Sequence, residues 1–323
     1  MTGTKIIKLK LDGMDALEGL PKLRDDSVVD SAYKKFLDIL GNERIPEFRD
    51  AANDAMRGLN VRGSQLQMIY DLLEGECSRV SDFNSMAGLF LTSLMQNSTD
   101  KKFRLKINRP LNFLGNPLTG GKELTIEGDV GDATGAHMED CKIRVNGSAG
   151  EYTGANMKRG VIEVTGYVDS KTGHRMEDGT INVGGDAGDL TGLDMKGNSL
   201  IAVGGCCGNS TGMQMKGGRL TVRKGVGNDT GTRMSGGEIM VGGISGQSTG
   251  QYMVDGRITV HGDTADQTGC GMKGGTIHVI GRARGETAKE MEGGKIEVMG
   301  GIDEISKEYL SGEIWENGNK VRG

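Results

Sequence analysis

The chain has 323 residues, a formal net charge of −5 and mixed charges, which excludes a polybasic surface for nucleic acid or anionic lipid. Glycine supplies 56 residues while Phe, Trp and Tyr together supply 4%, so any core is built from small repeated pieces rather than aromatic volume. Four prolines and no G-X-Y period exclude collagen.

The opening stretch "MTGTKIIKLKLDGMDALEG" lacks the charged-then-apolar layout of a secretory signal. No apolar run in the chain reaches the length of a membrane span. The next segment, "SVVDSAYKKFLDILG", places Val28, Val29, Tyr33, Phe36, Leu37 and Leu40 at helical spacing and closes with Gly41. "PEFRDAANDAMRGL" opens on Pro46 in a first-turn position, and "SQLQMIYDLLEG" and "SDFNSMAGLFLTSLMQNS" come next, the latter with Ser81 or Asp82 as cap. The pattern predicts four helices between about 27 and 98, forming a small bundle within an N-terminal helical domain, residues 1–100. "KKFRLKINRP" alternates Phe103, Leu105 and Ile107 with charged residues, as a half-exposed strand does. Residues 101–117 are expected to link the helices to the glycine-rich remainder of the chain and to cap one end of it.

From there one period governs. Thr-Gly recurs at 134, 153, 172, 191, 211, 230, 249 and 268, with Thr287-Ala288 as a degenerate last copy. The spacing is nineteen residues, with a single twenty where "MKGNSLIAV" replaces "MEDGTINV". Met stands three residues beyond each copy, from Met138 to Met291, and an Ile-x-Val or Leu-x-Val alternation comes after it, from Ile143/Val145 to Ile296/Val298. A strand with two inward residues cannot cover its own apolar face, but a copy stacked above it can. Glycine suits the corners, and Met fills a narrow interior. The expected fold is mainly β: a right-handed parallel β-helix of about ten 19-residue coils over residues 118–301, on the order of 45 Å long at ordinary interstrand spacing.

The tail, residues 302–323, leaves the period and holds the single tryptophan; it is expected to cap the far end. Trp315, beside Tyr309, Leu310 and Ile314, is also a candidate partner-binding anchor.

Candidate chemistry is sparse. No G-x-x-x-x-G-K-[ST] and no G-x-S-x-G is present. The acid-containing corners, at Asp132, Glu151, Ser170, Asp189 and their equivalents, do not keep a ligand charge, which favours corner hydrogen bonding over calcium. His137 and His174 lie two coils apart and out of register, while His261 and His278 flank inward residues and should point outward, so no metal site is expected. Cys207 aligns with Ala187 and Val226 inside the core; Cys206, at a corner, is the candidate reactive thiol. Five scattered cysteines, Cys77, Cys141, Cys206, Cys207 and Cys270, fit reduced thiols of a cytoplasmic protein.

The recurring copies, such as "GDAGDLTGLDMKG" and "VGNDTGTRMSGGEIMVGG", resemble the Gly-x-Gly-x-Gly repeat superfamily over about Glu123 to Gly301. That superfamily includes the C-terminal β-helix of glutamate synthase large chains and the β-helical subunit of archaeal formylmethanofuran dehydrogenase, with its bacterial formyltransferase/hydrolase counterpart. The resemblance implies a non-catalytic scaffold subunit of an oxidoreductase complex, with no catalytic, cofactor or metal residue of its own. Its partners would be other protein subunits, docked on the β-helix faces and on the helical domain, with neither nucleic acid nor membrane involved. A formylmethanofuran dehydrogenase-like complex, serving one-carbon metabolism and methanogenesis, would bring a molybdenum or tungsten pterin. A glutamate synthase-type complex, in glutamate biosynthesis, would bring flavin and iron–sulfur clusters. A third expectation, a stand-alone hydrolase or thiol enzyme on the solenoid surface, would rest on Cys206.

Overall fold

The structure, a computed structural model, describes residues 27–40, 45–78 and 82–323. The readings of the chain start, of Gly41 as a helix stop and of Ser81 as a cap lie outside the described residues.

Four helices form: α1 (Ser27–Ile39), α2 (Ile45–Ala55), α3 (Gly63–Glu74) and α4 (Phe83–Asn97). Helical spacing in α1 buries Val29, Ala32 and Phe36 on one face. Phe36 meets Phe48 and Phe90 edge-on, at 6.1 and 5.0 Å between ring centroids, the arrangement the ring quadrupoles favour. Pro46 lies in the first turn of α2. Asp82 does occupy the N-cap of α4, but it is left-handed, at φ 56, and makes no side-chain cap bond. Helix α4 is buried nearly all round because it lies between the other helices and the first β coil.

The β region contains β1 (Lys102–Lys106), β2 (Glu123–Glu127), β3 (Cys141–Asn146), β4 (Gly160–Val164), β5 (Thr180–Val183), β6 (Leu200–Val203), β7 (Lys216–Val222) and β8 (Ser235–Val241). It continues with β9 (Asp255–Val260), β10 (Thr276–Val279), β11 (Ala283–Thr287), β12 (Lys295–Val298), β13 (Ile302–Ile305), β14 (Glu313–Glu316) and β15 (Asn319–Arg322). Thirteen of these strands form one sheet, in the order β1 to β10, β12, β14, β15. All its pairs are parallel except the last, so twelve stacked strands bound eleven turns of a parallel β-solenoid. The register keeps like on like, with Ile162 over Ile143 and Val164 over Val145. A column of single parallel bridges, Ala149–Val168–Ala187–Cys207–Val226, builds a second face. The Thr-Gly turns form a third.

Both ends extend the stack beyond the expected boundaries. Phe103 and Leu105 pair in register with Leu124 and Ile126, so residues 101–117 are not a linker but part of a first coil. Leu114-Gly115-x-x-Leu118 stands there in place of Thr-Gly-x-x-Met, and Gly115 takes the same left-handed turn, at φ 76. At the far end Ile314 pairs with Ile296, adding one more strand before β15 folds back antiparallel across the edge. The connecting residues Asn317 and Gly318 both have positive φ, as a tight hairpin turn requires. The extra residue of the twenty-residue coil is absorbed at the exposed turn Lys196–Asn198, with Gly197 at φ 64, and Leu200 still pairs with Thr180.

The glycine of each Thr-Gly pair has two reasons to be glycine. Gly154 lies at φ 66, and a Cβ there would stand 2.5 Å from Ile181 Cδ1. Gly58 shares the strained backbone, at φ 78, with nothing within 4 Å. Gly58→Ala is therefore expected to cost about 1–2 kcal/mol for backbone strain alone, and Gly154→Ala more. Denaturant midpoints of the two variants check this; equal shifts would show that the Ile181 contact has no energetic weight.

Candidate functional site

The solenoid interior is closed. All nine repeat methionines, Met138 through Met291, are 0% exposed. In eight of the nine, all but Met176, the methyl group tucks beneath a glycine of the next coil, from Gly160 over Met138 to Gly312 over Met291. A Cβ on Gly179 would overlap Met157 Cε, and one on Gly237 would lie 2.6 Å from Met215 Cε. The repeat thus couples its Met to a glycine one coil later through one shared volume.

The threonines are also fully buried, and their hydroxyls act within their own coil. Thr134, Thr153, Thr191 and Thr211 donate through Oγ1 to the carbonyl three residues earlier, at 2.9 to 3.0 Å. Thr287, beside the irregular β11–β13 pairing, has a buried Oγ1 without a partner. Two residues ahead of five of the threonines, at Asp132, Asp189, Asn209, Asn228 and Asp266, a side-chain oxygen bonds to the next coil. Asp132 Oδ1 accepts from Glu151 N at 2.9 Å, Asp189 from Asn209 N at 2.6 Å, and Asn209 from Asn228 N at 2.9 Å. Asp and Asn serve equally because only one oxygen is needed to accept an N–H. Corner hydrogen bonding is what these five side chains do, whereas the Glu151 carboxylate accepts from Lys171 Nζ at 3.4 Å. Among the described residues, no group of three or more His, Cys, Asp or Glu is placed to hold a metal ion.

The histidines remain apart. His261 is exposed, and His278 is half-buried with Nδ1 3.5 Å from Glu297 Oε2. His137 has no ring or ion-pair contact with His174 among the described residues. Burial, followed by the nearby Arg175 charge, pushes His174 below its usual pKa, and its ring tilts against Tyr152 at 6.1 Å.

Cys206 is exposed at its corner, its N–H donating to Asp186 Oδ1 at 2.7 Å, and no histidine, lysine or arginine contacts its thiol among the described residues. Cys207 is buried in the bridge column between Ala187 and Val226, and burial pushes its thiol up to about 12. Iodoacetamide at neutral pH is accordingly expected to alkylate Cys206 in the folded protein and leave Cys207 intact. Fragment-ion mapping of the peptide holding both residues checks this, and comparable labelling of Cys207 would contradict the buried bridge column.

Of the tail residues, Leu310 is 67% exposed, whereas Ile314 is 0% exposed. Ile314 is the last member of the inward Ile column, so it cannot be presented to a partner. Tyr309 is half-buried, its hydroxyl donating to Gly312 O at 2.6 Å. Trp315 is half-buried, donating from Nε1 to Glu313 Oε2 at 3.1 Å, with Lys295 Nζ 4.9 Å from its ring.

The family model of the GXGXG motif matches residues 121–314, more than half of the chain. The chain belongs to the GXGXG motif family. The match begins after the first coil and ends on Ile314, so the family accounts for the repeat and leaves the helical region outside it. No curated protein sequence matches the chain significantly.

Two groups beyond the GXGXG repeat pattern were not singled out from the sequence. Lys122 is 3% exposed and donates to Ser98 O at 2.8 Å, fastening the C-terminus of α4 to β2's coil. Burial pushes its ammonium below the usual lysine pKa, and Lys101 adds to that. A lysine adjoining Gly-Gly carries no local signal of this role. The other group is the outward column at the middle position of each Ile-x-Val, whose chemistry changes along the sheet.

Proposed function

We infer that this GXGXG chain is a non-catalytic structural subunit of a multi-subunit enzyme complex. The specific reading is a counterpart of the β-helical subunit of formylmethanofuran dehydrogenase, acting in cytoplasmic one-carbon metabolism. The observation that carries it is the fully buried methionine stack: the volume inside the coils is occupied by side chains, so the solenoid offers its surfaces. A rod whose backbone is hydrogen-bonded coil to coil changes shape little, which suits holding other subunits at fixed separations. The family match supports the reading as far as the repeat goes. The partners would carry the redox groups, a molybdenum or tungsten pterin in this case.

Affinity purification of the full chain from its source cells tests this. A stoichiometric partner containing a molybdenum or tungsten pterin supports it. A flavin and iron–sulfur synthase in its place moves the assignment to a glutamate synthase-type subunit. A chain that purifies alone, with a turnover abolished by Cys206→Ser, overturns the subunit reading in favour of a thiol enzyme.

A further inference from the structure

Towards both ends of the long sheet, outward cations pair with carboxylates on neighbouring strands. Lys102 Nζ stands 3.4 Å from Glu123, Arg144 Nη1 3.2 Å from Glu163, and Lys320 Nζ 3.0 Å from Glu313. Over β7 to β9 this pairing lapses. Arg219 still meets Glu238 at 2.9 Å, but Arg223, Lys224, Arg257 and His261 have no carboxylate within ion-pair distance among the described residues, and all four are exposed. Alongside them the outward middle residues become uncharged: Ala202, Thr221 and Met240 are half-exposed. Gly204 and Gly242 lie beside them, leaving a shallow depression of about 540 Å³ flanked by Arg223 and His261. Ile244, 64% exposed, extends the apolar surface at the adjoining corner, where Asp186 and Asp263 stand on other coils.

The sheet backbone here is hydrogen-bonded on both sides, so an incoming chain cannot add as a strand and must be held by side chains. A neutral centre with an uncompensated cationic border is the complement of an apolar side chain flanked by carboxylates. We propose that the β5–β9 face is the seat of an acidic segment of a partner protein, with an apolar side chain on Met240 and Ala202 and carboxylates at Arg223, Lys224 and His261. This rests on the subunit reading above and assigns it a surface.

The test is photo-crosslinking in source cells, using the full chain with p-benzoylphenylalanine in place of Met240, or in place of Lys196 on the turn face. Support is an adduct at Met240 to an identified partner peptide bearing Asp or Glu. That adduct should fall roughly tenfold in the Arg223→Glu/Lys224→Glu background and return when the partner's carboxylates are changed to Lys. Both substituted side chains are exposed, and circular dichroism confirms that the double variant is folded. A complex that crosslinks through Lys196 and not Met240 overturns the proposal and leaves the subunit reading standing. An adduct indifferent to the charge reversal also overturns it, as does one to nucleic acid or to a second copy of this chain. A chain that purifies alone, without adducts at either position, ends both.

Discussion

Met195→Asp is expected to abolish the cooperative unfolding transition of the intact solenoid, while Met195→Leu keeps it with a loss under about 1.5 kcal/mol. Met195 is 0% exposed, and its Cε would lie 3.1 Å from a Cβ on Gly218, so the side chain fills space that two coils share. A carboxylate there leaves water without gaining a cation, and such burial costs at least several kcal/mol. Because each coil rests only on its neighbours, disruption in the middle of the stack parts it in two rather than being spread over a globular core. The β1–β5 coils keep the helical region across their end, and the later coils do not. Urea unfolding monitored by circular dichroism and amide exchange should show the later coils losing protection first. A wild-type midpoint for Met195→Asp would mean that the methionine stack is not what holds the coils together.

The second large effect is expected at the joint between helices and solenoid. Gly88→Ala places a methyl group in α4 where a Cβ would overlap the backbone oxygen of Asn112. By helix propensity alone the change is favourable by about 1 kcal/mol. The contact predicts the opposite sign, a loss of about 1–3 kcal/mol through forced displacement of the helix. Three hydrogen bonds that close the first coil depend on α4's position. Asn112 N donates to Asn84 O at 3.1 Å, Gly115 N to Thr92 Oγ1 at 2.8 Å, and Thr119 N to Gln96 Oε1 at 3.0 Å. Faster amide exchange at Asn112, Gly115 and Thr119, with a lower midpoint, is the expected result. A stabilised variant would show that α4 is not seated on the first coil.

The repeat was legible in the sequence because each coil uses the same residue types at the same inward positions. Periodicity therefore reports directly on packing. The same logic explains what escaped. The first coil was missed because Leu114 and Leu118 stand, fully buried, where later coils have Thr and Met, filling the same inward positions while breaking the motif. Four helices were legible from their apolar spacing, but their manner of closing the solenoid was not. Gln67 accepts from Lys106 N at 2.7 Å and donates to its carbonyl at 3.0 Å, reproducing with an amide side chain what the next strand would supply. Tyr70 accepts from Asn108 N at 3.0 Å in the same way. Such partnerships join residues 38 or 39 positions apart and leave no local pattern. The candidate surface was illegible for a related reason. The variable middle residue of Ile-x-Val looks like noise along the chain, and acquires meaning only when Ala202, Thr221 and Met240 are laid side by side.

The constancy of register along the stack makes the chain a gauge. Inserting one nineteen-residue copy between two coils would carry everything beyond it outward by about 4.8 Å, with a fixed small rotation and no new kind of contact. Removing one would do the reverse. Reach would then be set by counting copies, so a lineage could retune the gap between two distant attachments by duplication or deletion alone.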